Sequence, residues 1–143
     1  MRAVVLLALL AAGPAQAWEF TPFPVCTLFH ETAEARVSVT HDPRLALPYT
    51  FALVLTDTWP AGPDFSIRFD GPRPLTITTN RHVLSDGGRT LSVSDAGFGN
   101  VLTGLEFNDT ATALTADRAV TLPLAGAAGE VQKFRACAEA ALA

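Results

Sequence analysis

Tyr49-Thr50-Phe51-Ala52-Leu53-Val54-Leu55-Thr56 is the stretch on which the fold class turns. Phe51, Leu53 and Leu55 share one face of an extended chain, Ala52 and Val54 the other. Both faces are apolar, which predicts a central strand covered on each side. Upstream, Cys26–Glu31 and Glu34–Thr40 read as two short strands around a Thr32-Ala33 turn, with Leu28, Val37 and Val39 facing inward. A loop marked by Asp42-Pro43 and Pro48 separates them from the central run.

Downstream, Trp59-Pro60-Ala61-Gly62-Pro63 must be a loop, because two prolines and a glycine cannot continue a ladder. Phe65-Ser66-Ile67-Arg68-Phe69 alternates with its large apolar residues inward, Asp70-Gly71-Pro72 turns the chain, and Leu75–Thr78 pairs back. Arg81–Leu84 and Thr90–Ser94 flank Ser85-Asp86-Gly87-Gly88-Arg89, a hairpin loop whose glycines can take positive φ. From Ala96 to Phe107 the period changes: Val101, Leu102 and Leu105 fall on one side of a short helix that Asp95 could cap. Thr110–Leu114 and Ala119–Leu122 form a further strand pair. Ala127–Ala141 is an alanine-rich helix with Val131, Phe134, Cys137, Ala138 and Ala141 on one side, a stripe thin enough to lean on a covalent tie. The expected fold is α+β: a mostly antiparallel β sandwich or open barrel of six to nine strands, with a short mid-chain helix and a C-terminal helix.

Residues 1–17, MRAVVLLALLAAGPAQA, carry one positive charge, an apolar run from Ala3 to Ala12, a Gly13-Pro14 break and the small-x-small triplet Ala15-Gln16-Ala17. This is the layout of a secretory signal peptide. The apolar run is about half of the roughly 20 residues a membrane-spanning helix needs. Cleavage after Ala17 would leave a single domain of residues 18–143, unanchored and periplasmic or secreted. The whole chain is 143 residues, 49% hydrophobic and 17% charged, too apolar to remain disordered. Without Arg2 it holds nine basic against 14 acidic residues, a net charge of −5. That argues against nucleic acid as a partner, since phosphates are bound by a basic face. In an exported chain the only two cysteines, Cys26 and Cys137, are expected to form a structural disulfide joining first strand to last helix. A loop of about 100 residues closed in this way stabilises by roughly 4.7 kcal/mol in the chain-entropy picture.

Few residues carry a chemical signal. His30-Glu31 and His41-Asp42 each set an imidazole beside a carboxylate. Neighbours on a strand point to opposite faces, and zinc-ligand spacing is not met, so both read as surface or loop histidines, and neither a metal nor a cofactor is expected. His82, Ser85 and Asp86 supply the residue types of a hydrolytic triad, but without a G-x-S-x-G elbow or an oxyanion hole, so no catalytic residue is assigned. Gly97-Phe98-Gly99-Asn100 before a helix faintly resembles a phosphate cradle, lacks the Walker lysine, and reads better as a strand-to-helix turn. Asn108-Asp109-Thr110 fits the N-glycosylation sequon. The aromatics Trp18, Phe20, Phe23 and Trp59, interleaved with prolines, could together form an apolar surface for a partner protein or an apolar ligand. Alternatively, the N-terminal segment packs across the open edge of the sheet.

Phe69-Asp70-Gly71 and the closing segment Val120–Phe134, set in this element order, loosely resemble the invasion-associated locus B family, small exported alphaproteobacterial proteins with additional cysteines. The segments WEFTPFPVCTL, RFDGPRPLTI, GFGNVL and FRACAEA are similar to a group of exported alphaproteobacterial proteins, some of which are named as excinuclease components. No G-x-x-x-x-G-K-[ST] loop is present and the chain is acidic, so that name does not suit it. The resemblance implies an exported, β-rich protein and supplies no reaction. The expected role is a non-catalytic binding or accessory module, the alternatives being a small secreted hydrolase or an envelope-structural or inhibitor module.

Overall fold

Among the described residues, alternating apolar side chains and Pro/Gly-rich turns build ten strands, with helical spacing once between them and once after them. The computed structural model describes residues 17–141; the expected signal segment falls almost wholly outside the described residues. The strands are β1 (Glu19–Thr21), β2 (Cys26–Glu31), β3 (Ala35–His41), β4 (Tyr49–Leu55), β5 (Phe65–Asp70), β6 (Leu75–Thr79), β7 (Val83–Ser85), β8 (Thr90–Asp95), β9 (Thr110–Thr115) and β10 (Arg118–Pro123). Helix α1 (Gly99–Phe107) lies between β8 and β9, and α2 (Ala127–Ala140) closes the chain.

The protein is α+β, with two antiparallel sheets in a sandwich-like arrangement. The larger has the order β1-β2-β3-β4-β8-β7, the smaller β10-β9-β5-β6. The run from Tyr49 is β4, paired on both sides: Phe51 lies opposite Val39 of β3 and Val93 of β8. The inward rows Leu28, Val37, Val39, Phe51, Leu53 and Leu55 of one sheet and Phe65, Ile67 and Phe69 of the other are all buried, in one core. At about 1.5–3 kcal/mol for each fully buried large side chain, these rows dominate the favourable side of folding.

The chain passes between sheets three times. The first passage, through Trp59, is pinned by its indole, whose Nε1 donates to the Leu53 carbonyl at 3.1 Å. Residues 80–82 carry it back from β6 to β7, and α1 returns it to β9. The N-terminal segment pairs along β2 as the short edge strand β1, with Phe20 opposite Leu28. This covers the sheet edge, and β1 is fastened further: Trp18 Nε1 donates to the Pro123 carbonyl at 2.9 Å and Phe20 N donates to Glu130 of α2 at 3.0 Å.

Four expectations need correction. The strands among the described residues number ten and not six to nine, because the N-terminal segment adds the edge strand β1. Trp18 and Trp59 are 3% exposed and belong to the core, because each indole N–H finds a backbone carbonyl and the ring can then be buried; Phe20 is half-buried and only Phe23, at 81%, stands out. These four residues therefore do not make one exposed apolar surface. His30 and His41 are buried, not on the surface: they continue the inward faces of β2 and β3, and His30 stacks on Trp18 with ring centroids 4.8 Å apart. Helix α1 starts at Gly99, with Phe98 at its N-cap and no side chain capping it. Asp95 instead ends β8, accepting from Ala96 N at 2.7 Å and pairing with Arg81 at 3.0 Å.

Cys26 and Cys137 are bonded, with Cα atoms 5.9 Å apart, and tie β2 to α2. Among the described residues no helix is long and apolar enough to cross a membrane.

Candidate functional site

Between the smaller sheet at its edge strand β6 and the larger sheet at the end of β8 beyond its pairing with β7 lies a cleft of about 460 Å³. Phe51 and Val93 form its wall on the larger sheet, Phe65, Ile67 and Ile77 its wall on the smaller one, and Phe98 with the start of α1 closes one end. Phe51, Phe65, Ile67 and Phe98 are buried in the core and border the cleft, while Ile77 and Val93 are the half-buried residues of this apolar wall. Ile77, on the edge strand β6, is only half-buried although, as the register partner of buried Ile67, it lies on the same inward face. The rim is polar: Thr78, Thr79, Asn100 and the Arg81–Asp95 ion pair. The Arg81 side chain is 62% exposed, so this pair contributes at most about 1 kcal/mol and yields readily to another partner. A concave, mainly apolar cavity with a few polar groups at its mouth is the usual form of a small-molecule site.

A second cavity, of about 250 Å³, lies beyond Phe98 and shares the Gly97-Phe98-Gly99 turn with the first. His41, Tyr49, Arg135 and Glu139 contribute to its walls. The rings of His41, Tyr49 and Phe98 form a chain, with centroids 4.6 Å apart for the first pair and 5.5 Å for the second. On the other side of His41, a shallow recess runs past Pro24, Asp42 and the disulfide. There the Arg44 guanidinium, hydrogen-bonded to Asp42, holds that carboxyl below the usual carboxylate range.

The expected hydrolytic types are not assembled. Ser85 and Asp86 are exposed at the end of β7 and in the turn after it, while the His82 ring lies 6.1 Å from that of Phe65. No hydrogen bond joins any two of the three among the described residues. Nor do the described residues contain a group of three or more His, Cys, Asp or Glu placed to hold a metal ion. The Asn108 sequon is closed in a different way. Asn108 is 7% exposed, and its side-chain amide accepts from Arg73 N at 2.9 Å while donating to the carbonyls of Arg73 at 2.8 Å and Gly104 at 3.1 Å.

Comparison with known protein families, with curated proteins and with solved structures returns no match. The cleft was not legible in the sequence, since its walls come from β4, β5, β6, β8 and α1, which only tertiary pairing brings together. The burial of His30 and His41 was legible: counting by twos from Leu28 and from Val39 reaches them.

Proposed function

We propose that this chain is a non-catalytic binding module of the periplasm or the secreted fraction, and that it holds a small apolar ligand in the cleft between its two sheets. The observation that carries this reading is the 460 Å³ cavity itself, walled by Phe51, Phe65, Ile67, Ile77, Val93 and Phe98 and polar only at its mouth. Such a wall offers burial and shape but no group to move a proton or attack a bond. Export is supported by the leader-like residues 1–17, by the disulfide and by the resemblance to small exported proteins. Burying about 200–300 Å² of apolar ligand at about 25 cal/mol/Å² contributes about 5–7.5 kcal/mol before association and ordering costs, which sets micromolar to millimolar affinity as the ceiling.

The test is titration of residues 18–143 with the uncharged fluorophore N-phenyl-1-naphthylamine, whose emission rises in apolar surroundings. Saturable binding of one molecule per chain is expected. Ile77→Lys, at a half-exposed wall position that should leave folding intact by circular dichroism, should abolish it. Absence of saturation, or binding indifferent to Ile77→Lys, would refute the reading.

A further inference from the structure

We infer that the cleft between the sheets takes a single-chain amphiphile with a carboxylate head, of the fatty-acid type, whose tail lies against Ile77 and Val93 and whose head meets the guanidinium of Arg81 at the mouth. The inference rests on the cleft being an apolar ligand site and adds the chemistry of the ligand's polar end. Different residues ask for the two ends. The wall offers burial alone, whereas the few polar groups of such a site fix which way round the ligand lies.

Only two charged residues border the cleft, Arg81 and Asp95, and they are not equivalent. The Asp95 side chain is 38% exposed and both its oxygens hold a donor: Oδ1 accepts from Ala96 N at 2.7 Å and Oδ2 from Arg81 Nη2 at 3.0 Å. Arg81 reaches further out, at 62% exposure, and that bond is the only one its side chain makes among the described residues. A guanidinium has five N–H donors and no acceptor, so most of its capacity is unspent. Thr79 adds to the surplus, because its Oγ1 accepts from Arg81 N at 3.1 Å and its own hydrogen remains to donate. What the mouth lacks is therefore an acceptor. A carboxylate matches the planar guanidinium fork with two parallel bonds, and Asp95 can keep its single bond while holding Arg81 at the rim. An ammonium head would meet the more exposed Arg81 first and be repelled by it. Beyond residue 17 the chain holds 14 acidic and nine basic residues, which opposes an anion at long range. At physiological ionic strength that field is screened over about 8 Å, so the groups at the mouth decide.

The experiment loads residues 18–143 with N-phenyl-1-naphthylamine at neutral pH and displaces it with decanoate, 1-decanol or decylammonium, each below its micelle concentration. Decanoate is expected to bind at least about tenfold more tightly than decylammonium. Arg81→Gln should weaken decanoate about tenfold and leave 1-decanol within about twofold, while Asp95→Asn, which releases the guanidinium, should tighten decanoate. The preserved decanol affinity shows that each variant is folded with its cleft intact. Three heads that displace alike, an Arg81→Gln loss shared equally by decanoate and decanol, or decylammonium ahead of decanoate would overturn the carboxylate head and leave the apolar cleft standing. So would a saturating probe that decanoate does not displace. A probe that never saturates removes the cleft reading itself, and this inference with it.

Discussion

Gly104 sits in the middle of α1, where alanine would ordinarily strengthen a helix by about 1 kcal/mol. Here a Cβ would run into the ring of Phe69, which is wholly buried on β5 and has no room to retreat. Overpacking of this kind costs about 1–3 kcal/mol, which outweighs the gain in propensity. Gly104→Ala should therefore lower the midpoint of urea denaturation; an unchanged or raised midpoint would show that Phe69 can yield. The two tryptophans give a second residue-level expectation. With Trp18 and Trp59 each 3% exposed, acrylamide and iodide should quench native emission weakly and quench the unfolded chain strongly. Strong native quenching would return these indoles to the surface, where their proline-rich sequence context had suggested they could lie. Proline and glycine nearby announced loops correctly, but they do not say whether a loop's aromatic side chain turns outward or finds a carbonyl inside.

Among the elements, α2 shows how a sparse sequence pattern can understate packing. Its stripe holds only two large apolar residues, Val131 and Phe134, yet both are completely buried, with Ala127 and Ala138 beside them. Ala141, expected on the same stripe, is exposed beyond the helix end. The small alanines let α2 approach β1, β2 and α1 closely, and Glu130 adds a hydrogen bond to β1. The helix is thus held by burial as well as by its bridge. Cys137→Ser should lower stability by about 2–5 kcal/mol. Phe134→Ala, which empties a fully buried aromatic site, should cost about 3–5 kcal/mol, as much as the loss of the bridge. Denaturant melts of the two variants beside the parent decide it: a Phe134→Ala loss under about 1 kcal/mol would leave the disulfide as the main fastening. Helix α1 illustrates a different miss, a start displaced by three residues. Asp95 has the chemistry of an N-cap, but Arg81, brought near by the crossing from β6 to β7, competes for the same carboxylate.

For the molecule as a whole, the division into two sheets governs what the protein can do. Hairpins β5–β6, β7–β8 and β9–β10 follow from local turns and were each readable as neighbouring strand runs. The pairings β4–β8 and β5–β9 join segments far apart in the chain, and it is these that split the strands into six and four. Arg118, at the head of β10, reaches across to Glu34 at 3.2 Å and Asp57 at 3.0 Å, joining the sheets at one place, while between β6 and β8 they stay apart. What the amino-acid sequence determined by itself is the set of elements, their inward faces and the pair of cysteines, because strand alternation, turn residues and covalent chemistry act over a few neighbours or through unique side chains. Only the tertiary structure decided which strands pair at long range, where the two sheets leave a cleft between them, and that among the described residues the buried His41 ring nitrogens find no hydrogen-bond partner. Those outcomes depend on competition among many similar apolar strands and carboxylates for the same space, which no local pattern encodes.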